Sequence, residues 1–498
     1  MRWPSVTAAA VVVVAMAMSA PGAARAQPEP PPPAGEIEVL ERAPAAFGPK
    51  IEIERIDVVG NDYTDGELIR GRLQVAPGDV LRVGDPRLRD ARFHVLSLGF
   101  FRDVEVTLGK GSRRGRVILR VAVVEQGTFV LRNLFLGTSE ATPWWAGIDL
   151  AERNVFGSGL QVAGTVAITA GSRVAPADVS LEEAGRQYAA ALSVSDPSVY
   201  GSRFGIGGDL LWVESDEPFR VSGSFDDDSP EGFRNFRIRR IGGRARTSWE
   251  LTPLSRLAMA YRFEVVDSEP PASPTRAGSD GVPAAVDLDI LDGRSRVGTL
   301  AVRYERDTRP DPLLPNSGDR IELSLEVGGS LFASSYDFVT ATARYRRWFS
   351  VAGPAHVLSF AAAGGVILGD APRFDLFYVG DLNRLLRPRI AGLIVSTRPS
   401  PNVFGAAADE ALVGELAGRA EVEYAYRLFR RSGLIFGGDV FISAGVFGLA
   451  SRDQARVRDE GLLESLPVDL TFDAGLRLDT EIGIFELSVG NAVGRIQP

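Results

Sequence analysis

Residues 297–328 set out the pattern that most of the chain follows. In V-G-T-L-A-V-R-Y-E-R, Leu300, Val302 and Tyr304 fall on one face, and Thr299, Ala301, Arg303 and Glu305 on the other. In I-E-L-S-L-E-V, Ile321, Leu323, Leu325 and Val327 oppose Glu322, Ser324 and Glu326. A period of two marks strands, and the intervening D-T-R-P-D-P-L-L-P-N-S-G, rich in proline and ending on glycine, is turn chemistry. The alternation recurs after Gly127 in stretches of about ten residues, with no helix-period segment between them. Leu257, Met259, Tyr261, Phe263 and Val265 oppose Ala258, Ala260, Arg262 and Glu264. Ile241, Ala245, Thr247 and Trp249 oppose Arg240, Arg244, Arg246 and Glu250. Ala420, Val422, Tyr424, Tyr426 and Leu428 oppose Arg419, Glu421, Glu423 and Arg427, and Leu470, Phe472, Ala474, Leu476 and Leu478 oppose Thr471, Asp473, Arg477 and Asp479.

Two architectures satisfy this pattern. A soluble sandwich would turn the charged faces to water; a membrane barrel would turn them to its lumen and the apolar faces to lipid. Arginines and carboxylates share the same face in strand after strand, which fits a charge-balanced lumen. Tyr and Trp near strand ends fit interfacial girdles. Connections also divide by length: short at Asn154–Gly159 and 307–318, long and polar at 214–234, 267–294, 369–415 and 449–467. Short inner turns against long outer loops is the outer-membrane pattern.

Residues 51–126 differ. Ile51–Val59 reads as a strand ending at Gly60-Asn61, Thr64 as the cap of a helix over Asp65–Leu73, and Pro86–Leu98 as a second helix stopped by Gly99. Asp103–Leu108 and Arg116–Glu125 form a closing hairpin, giving the order β-α-α-β-β. Ahead of this, Arg2, an apolar run from Val6 to Met18 and Ala24-Arg25-Ala26 make a secretory signal peptide over residues 1–26. Residues 27–50, opening with Q-P-E-P-P-P-P, are a Pro-rich linker.

Composition narrows the function classes. The 498 residues include no cysteine and two histidines, His94 and His356, so disulfides, a cysteine nucleophile and a zinc centre are excluded or disfavoured. Nothing assembles a nucleophile, base and oxyanion site, so no enzyme, cofactor or metal is expected. Asp226-Asp227-Asp228 lacks calcium-loop spacing and reads as solvated. The net charge of −9 gives no case for nucleic acid. After the N-terminus there is no apolar run of about 18 residues, so an integral membrane protein must here be a barrel.

Three motifs give these observations a family. Asp307-Thr308-Arg309 with Pro315 and Gly318 resembles a "D-x-R-x-x-x-x-x-P-x-x-G" turn. Arg153-Asn154-Val155-Phe156-Gly157-Ser158-Gly159 is similar to "R-N-x-F-G-x-G", and Gly475-Leu476-Arg477-Leu478-Asp479-Thr480 with Ile482-Gly483 to "G-x-R-x-x-T-x-x-G". With the I-x-V-x-G-N and G-F-F of residues 51–126, the chain resembles the BamA/TamA superfamily of outer-membrane assembly factors. The resemblance implies a mainly β fold: one N-terminal α+β POTRA domain over 51–126 and an antiparallel transmembrane barrel of about sixteen strands over 127–498. The bland alternative for 51–126 is an unrelated small α+β domain.

By the same resemblance a long inward loop places an arginine against acidic wall residues. Phe377-Tyr378-Val379-Gly380 fits the start of that loop, and Arg387, although followed by Pro388, is the best match for its arginine. Glu423 of E-V-E-Y matches one acidic partner; Ser443 of S-A-G stands where the other would be. The strand at Phe485–Val493 corresponds to a penultimate one, so fifteen strands are expected, with a weak seam against Phe129–Leu136. The implied function is insertion or translocation of client outer-membrane or secreted proteins through that seam. The POTRA domain would lie in the periplasm, open to a periplasmic or inner-membrane partner, and the barrel in outer-membrane lipid. A substrate-specific or passive porin-like pore is the alternative.

Overall fold

The computed structural model describes residues 49–490, apart from 83–84, 97, 178–185, 200–201, 223–229, 253, 278–281, 311–313, 379–388, 396–412, 431–434, 452–467 and 481–482. The signal peptide, the linker and Asp226–Asp228 therefore lie outside the described residues. No described helix is long and apolar enough to cross a membrane.

The N-terminal unit is a four-stranded sheet, β1 (Lys50–Val59), β2 (Val80–Arg82), β3 (Phe101–Lys110) and β4 (Arg116–Glu125), in the order β2-β1-β4-β3. Helices α1 (Gly66–Arg72) and α2 (Pro86–Leu96) cover one face, and Ile53, Ile69, Leu73, Leu88, Val95, Phe100, Leu119 and Val121 fill the core between. Three local expectations are corrected. The cap of α1 is Asp65, whose carboxylate accepts the Glu67 amide; the Thr64 hydroxyl instead accepts from the Asn154 side chain. The second helix ends at Leu96, because the Gly99 amide folds back onto the Leu96 carbonyl. And β2, at three residues too short to show alternation, lies between the helices, making the order β-α-β-α-β-β.

From Phe129 onward the chain is one antiparallel meander. Its strands are β5 (Phe129–Gly137), β6 (Trp145–Val155), β7 (Leu160–Thr169), β8 (Tyr188–Asp196), β9 (Phe204–Arg220), β10 (Phe233–Thr252), β11 (Ser255–Glu269) and β12 (Gly293–Asp307). They continue as β13 (Gly318–Gly328), β14 (Phe338–Ser350), β15 (His356–Gly369), β16 (Leu416–Arg430), β17 (Ile435–Ala450), β18 (Val468–Thr480) and β19 (Gly483–Gly490). The sheet counts 16 strands: these fifteen on one path, and the two-residue piece Ala175–Pro176 beside β10. With an odd number on an antiparallel path, β5 and β19 run in the same direction. Among the described residues no ladder joins them.

The alternation resolves as lumen and lipid faces. Leu210, Ile241, Met259, Leu323, Leu325, Ile442 and Leu487 stand exposed on the outside, while Arg240, Arg262, Glu264, Glu423 and Arg477 are buried within. Two aromatic stacks mark the edges of the apolar band: Phe204 on Trp249 (5.7 Å) near the short turns, Tyr188 on Trp212 (6.2 Å) near the long connections. Phe204 and Trp212 lie eight residues apart on β9, about 27 Å along the strand, comparable to the roughly 25 Å apolar band of such barrels.

The connection placed at 214–234 is shorter than the sequence pattern suggested, since β9 continues to Arg220 and β10 begins at Phe233. Beyond the lipid band the outer face turns polar, Arg237 bonding Glu214 (3.0 Å) and Asp216 (2.9 Å) across the ladder, while Phe219, Phe236 and Ile238 on the inner face are buried. The apolar side chains therefore change from the outer to the inner face there while backbone pairing persists. Likewise the 267–294 connection narrows to the residues between Glu269 and Gly293, with a small hairpin of Thr275–Ala277 and Pro283–Ala285 inside it.

A ladder that satisfies its own backbone groups resists detergent until heated. Detergent-extracted protein should migrate faster on a gel unboiled than boiled; identical migration would mean that the long antiparallel path is not retained in solution.

Candidate functional site

The lumen is charged along its length and closed at one end. The connection after β15 turns into the barrel: Arg373–Asp375 form a single 3-10 turn, and Phe377–Tyr378 pair with Val413–Gly414. Asp375 meets Arg262 of β11 in a two-pronged bond (3.0 and 2.5 Å), and Arg262 also contacts Glu326 (3.1 Å) and Glu264 (3.6 Å). Arg240 bonds Glu264 (2.8 Å) and lies over the Phe374 ring at 4.0 Å. Two neighbouring wall arginines thus hold one carboxylate and one aromatic ring of the inward segment. Above them Phe219, Phe233, Phe236, Ile238, Val266 and Val297 pack with Phe374, Leu376, Phe377, Tyr378 and Ile394. An apolar plug fills the barrel toward the long connections.

A second cluster faces it from the far wall. Arg477 of β18 bonds Glu423 of β16 (3.0 and 2.5 Å) and Glu486 of β19 (2.9 Å), and lies 3.8 Å over the Phe441 ring. Arg346 reaches the same Glu423 (3.1 Å) and Glu421 (3.3 Å). Glu423 is therefore a lumen carboxylate held by two wall arginines. Arg387, its expected loop partner, lies outside the described residues. Ser443, in the place of a second acidic partner, donates to Asp473 (3.3 Å).

Toward the short turns the lumen opens. Glu322 gathers Arg344 (3.3 Å), Arg303 (3.7 Å) and Arg320 (3.8 Å), whose side chains are 42–54% exposed against 9% for Arg262. The interior is a wet vestibule at this end and a packed plug at the other. The D-x-R turn closes the β12–β13 hairpin here. The Asp307 carboxylate accepts the Arg309 amide (3.1 Å) and its guanidinium (2.8 and 2.5 Å), and Arg309 lies 5.1 Å over Trp348. Gly318 has φ +92°, and a Cβ there would meet the Thr308 carbonyl at 2.7 Å. Pro315 lies in the same turn, next to Leu314, whose carbonyl accepts from Arg427. These four residues are thus brought together as a structural turn.

The N-terminal unit is fastened to the same rim. Arg72 of α1 bonds Glu250 at the end of β10 (2.6 Å) with both side chains under 9% exposed, His94 of α2 stands 3.6 Å from that carboxylate, and Arg72 also reaches the Ser202 carbonyl (3.3 Å). The fully buried Asn154 donates to Thr64 (2.9 Å), the Asp65 amide donates to the Gly157 carbonyl (2.9 Å), and Arg102 lies over Phe436. Gly157 (φ +74°) passes so close that a Cβ would lie 2.1 Å from the Tyr63 carbonyl. The R-N-V-F-G-S-G turn is therefore the docking point of the small unit. Removing one partner of a buried pair such as Arg72–Glu250 costs about 3–5 kcal/mol.

The alternating pattern places Arg262, Glu264, Arg240, Glu250 and Arg477 on one face without giving them roles, and it gives no role to Asp375, Arg72 or His94. Their only sequence signal is charge inside otherwise ordinary loop and helix segments.

A profile described as the Omp85 superfamily domain matches residues 154–497. Among solved structures, BamA from Haemophilus ducreyi lacking POTRA domains 1-3 aligns with a TM-score of 0.50 at 11% identity, over 89% of this chain and 81% of that one. CdiB from Escherichia coli aligns with a TM-score of 0.55 at 11% identity, over 88% and 72%. At these identities the likeness concerns the fold alone. None of the curated proteins compared with the chain matches it.

If the Arg262–Asp375 bond holds the plug, Arg262→Gln and Asp375→Asn should each raise steady ion conductance in planar bilayers above that of the wild type. The double variant should add little to either, because both remove one interaction. Unchanged conductance in both single variants would mean that the apolar packing alone seals the barrel.

Proposed function

The chain belongs to the Omp85 superfamily, and from that premise we propose that it is an outer-membrane barrel that inserts or translocates client proteins, with residues 51–126 acting as a periplasmic POTRA domain that receives them. On this reading residues 1–26 are the signal peptide, 27–50 the linker and 127–498 the barrel. The observation that carries the proposal is the seam. β5 and β19 end the strand path, and among the described residues they share no ladder. Unpaired backbone groups facing hydrocarbon cost several kcal/mol each as an order of magnitude, so an added strand is strongly favoured there. An incoming client strand can take that edge by β-augmentation.

The interior supports the same reading over a passive pore. A pore needs an open path, whereas here Phe374, Phe377, Tyr378 and Ile394 pack into the core at the outer end. The vestibule opens instead toward the docked small unit, the side from which a periplasmic client would arrive. CdiB and BamA supply the fold; the client of this chain is not named by either.

A photo-crosslinking amino acid placed at Leu136 on β5 or Leu487 on β19 should trap client polypeptide during outer-membrane biogenesis. Only intramolecular β5–β19 adducts, with no client at either position, would make a self-contained pore the better reading.

The loop arginine belongs to this proposal too. Arg387 is assigned to reach Glu423 from the inward connection and add a third guanidinium to the two that Glu423 already holds. Arg387→Ala and Glu423→Ala should each impair client handling, with the double variant no worse than Glu423→Ala. Wild-type activity in Arg387→Ala would remove that latch and leave Glu423 a wall residue.

A further inference from the structure

The connection between β13 and β14 lies against the outside of the wall. Gly329 to Ser334 make a compact 3-10 turn laid against β12 and β11. Gly298 of β12 makes room for it, since a Cβ there would lie 1.7 Å from the Phe332 carbonyl. Gly298 shares its strand face with Leu300 and Val302, the face that carries the exposed apolar side chains. The turn therefore occupies the lipid side, and its outermost residue, Leu331, is 86% exposed.

A non-strand segment in hydrocarbon must satisfy its own polar groups, and this one largely does. The Phe332 and Ser334 amides donate to the Gly329 carbonyl (2.9 and 3.0 Å), and the Ala333 amide donates to Ser330 (3.1 Å). The Phe332 carbonyl accepts the hydroxyl of the wall residue Tyr261 (3.1 Å). Ser335 then returns to the ladder, its amide donating to the Arg296 carbonyl (2.8 Å) and its hydroxyl accepting the Arg296 amide (3.1 Å).

Directly above this wedge the outer face carries two arginines. Arg296 pairs in register with Val265, then Ile241 and Trp212 of the outer aromatic stack, and Arg294 is one pleat higher. Both arginines are exposed, and among the described residues neither forms an ion pair. Asp267, the register neighbour of Arg294, and the exposed Asp337 beside Gly329 share this face, but among the described residues neither is at ion-pairing distance from the two arginines. Gly298, against which the turn lies, is two residues from Arg296, about 7 Å along the strand, so the cationic heads sit immediately above an apolar wedge.

We propose that this face of β11–β13, with Leu331, Tyr261, Arg294 and Arg296, is a docking site for one phosphate-bearing lipid of the outer leaflet. Its acyl chain lies beside Leu331, and its phosphate is met by Arg294 and Arg296. The complementarity is of charge and depth together: arginine is the side chain suited to phosphate, and a long apolar tail covers the exposed leucine. The proposal rests on the membrane-barrel reading, and its test separates the two.

The full chain is reconstituted in vesicles of phosphatidylcholine brominated along its acyl chains. Native Trp212 and Trp249 report insertion, and a Leu331→Trp variant reports the wedge through additional quenched fluorescence. Native mass spectrometry then compares retention of diphosphoryl lipid A with that of its dephosphorylated form. Wild-type protein should retain the phosphorylated lipid about 30-fold better, and Arg294→Gln/Arg296→Gln should abolish most of that preference while heat-modifiable migration persists. No quenching of the native tryptophans would overturn the membrane reading and this proposal with it. Quenched native tryptophans without added quenching at position 331, or equal retention of both lipids by the wild type, would overturn the docking site alone.

Discussion

Hydrocarbon offers no hydrogen bonds, and the barrel is organised by that one constraint. Each backbone group within the membrane must be satisfied by a neighbouring strand, so the chain forms a long antiparallel meander whose every internal strand is paired on both sides. The same constraint sends charge inward. Arg262, Arg240 and Arg477 can be buried only because carboxylates and ring faces from adjacent strands meet them at bonding distance.

Balancing the lumen has a second consequence. Buried arginines with several acidic neighbours can hold whatever else brings a carboxylate, and the inward connection exploits this: Asp375 enters a site already shaped by Glu264 and Glu326. Phe374 over Arg240 ties the apolar plug to the same wall. Polar anchoring and apolar packing therefore support each other at the outer end, while the Glu322 cluster near the short turns stays in water. This asymmetry gives the interior a direction, open toward the docked N-terminal unit.

That unit is part of the same mechanical object. Arg72, Glu250 and His94 sit in a dry contact between the helices and the rim, and Asn154 bridges the barrel turn to Thr64. A motion of the small unit on the barrel must first break these contacts.

The sequence by itself determined the strand pattern, the face each residue takes and the family. Period-two alternation is local, and a one-residue slip would put Arg262 or Glu423 into lipid, so the register is written into the side chains. It also determined the Asp307-Thr308-Arg309 turn, whose partners are two residues apart, whereas the inward connection was implied only by the family resemblance of Phe377-Tyr378. Only the tertiary structure decided which charges meet. Glu423 was singled out from a motif, but Arg477 and Arg346 lie on other strands, and Asp375 is 113 residues from Arg262; nothing local marks such pairs. It likewise decided that β9 and β10 outrun the lipid-facing pattern, because paired charges line the outer face where the apolar side chains turn inward to the plug. The physical reason is one of range: burial periodicity acts between neighbours along the chain, whereas ion pairing across a lumen depends on how the whole wall curves.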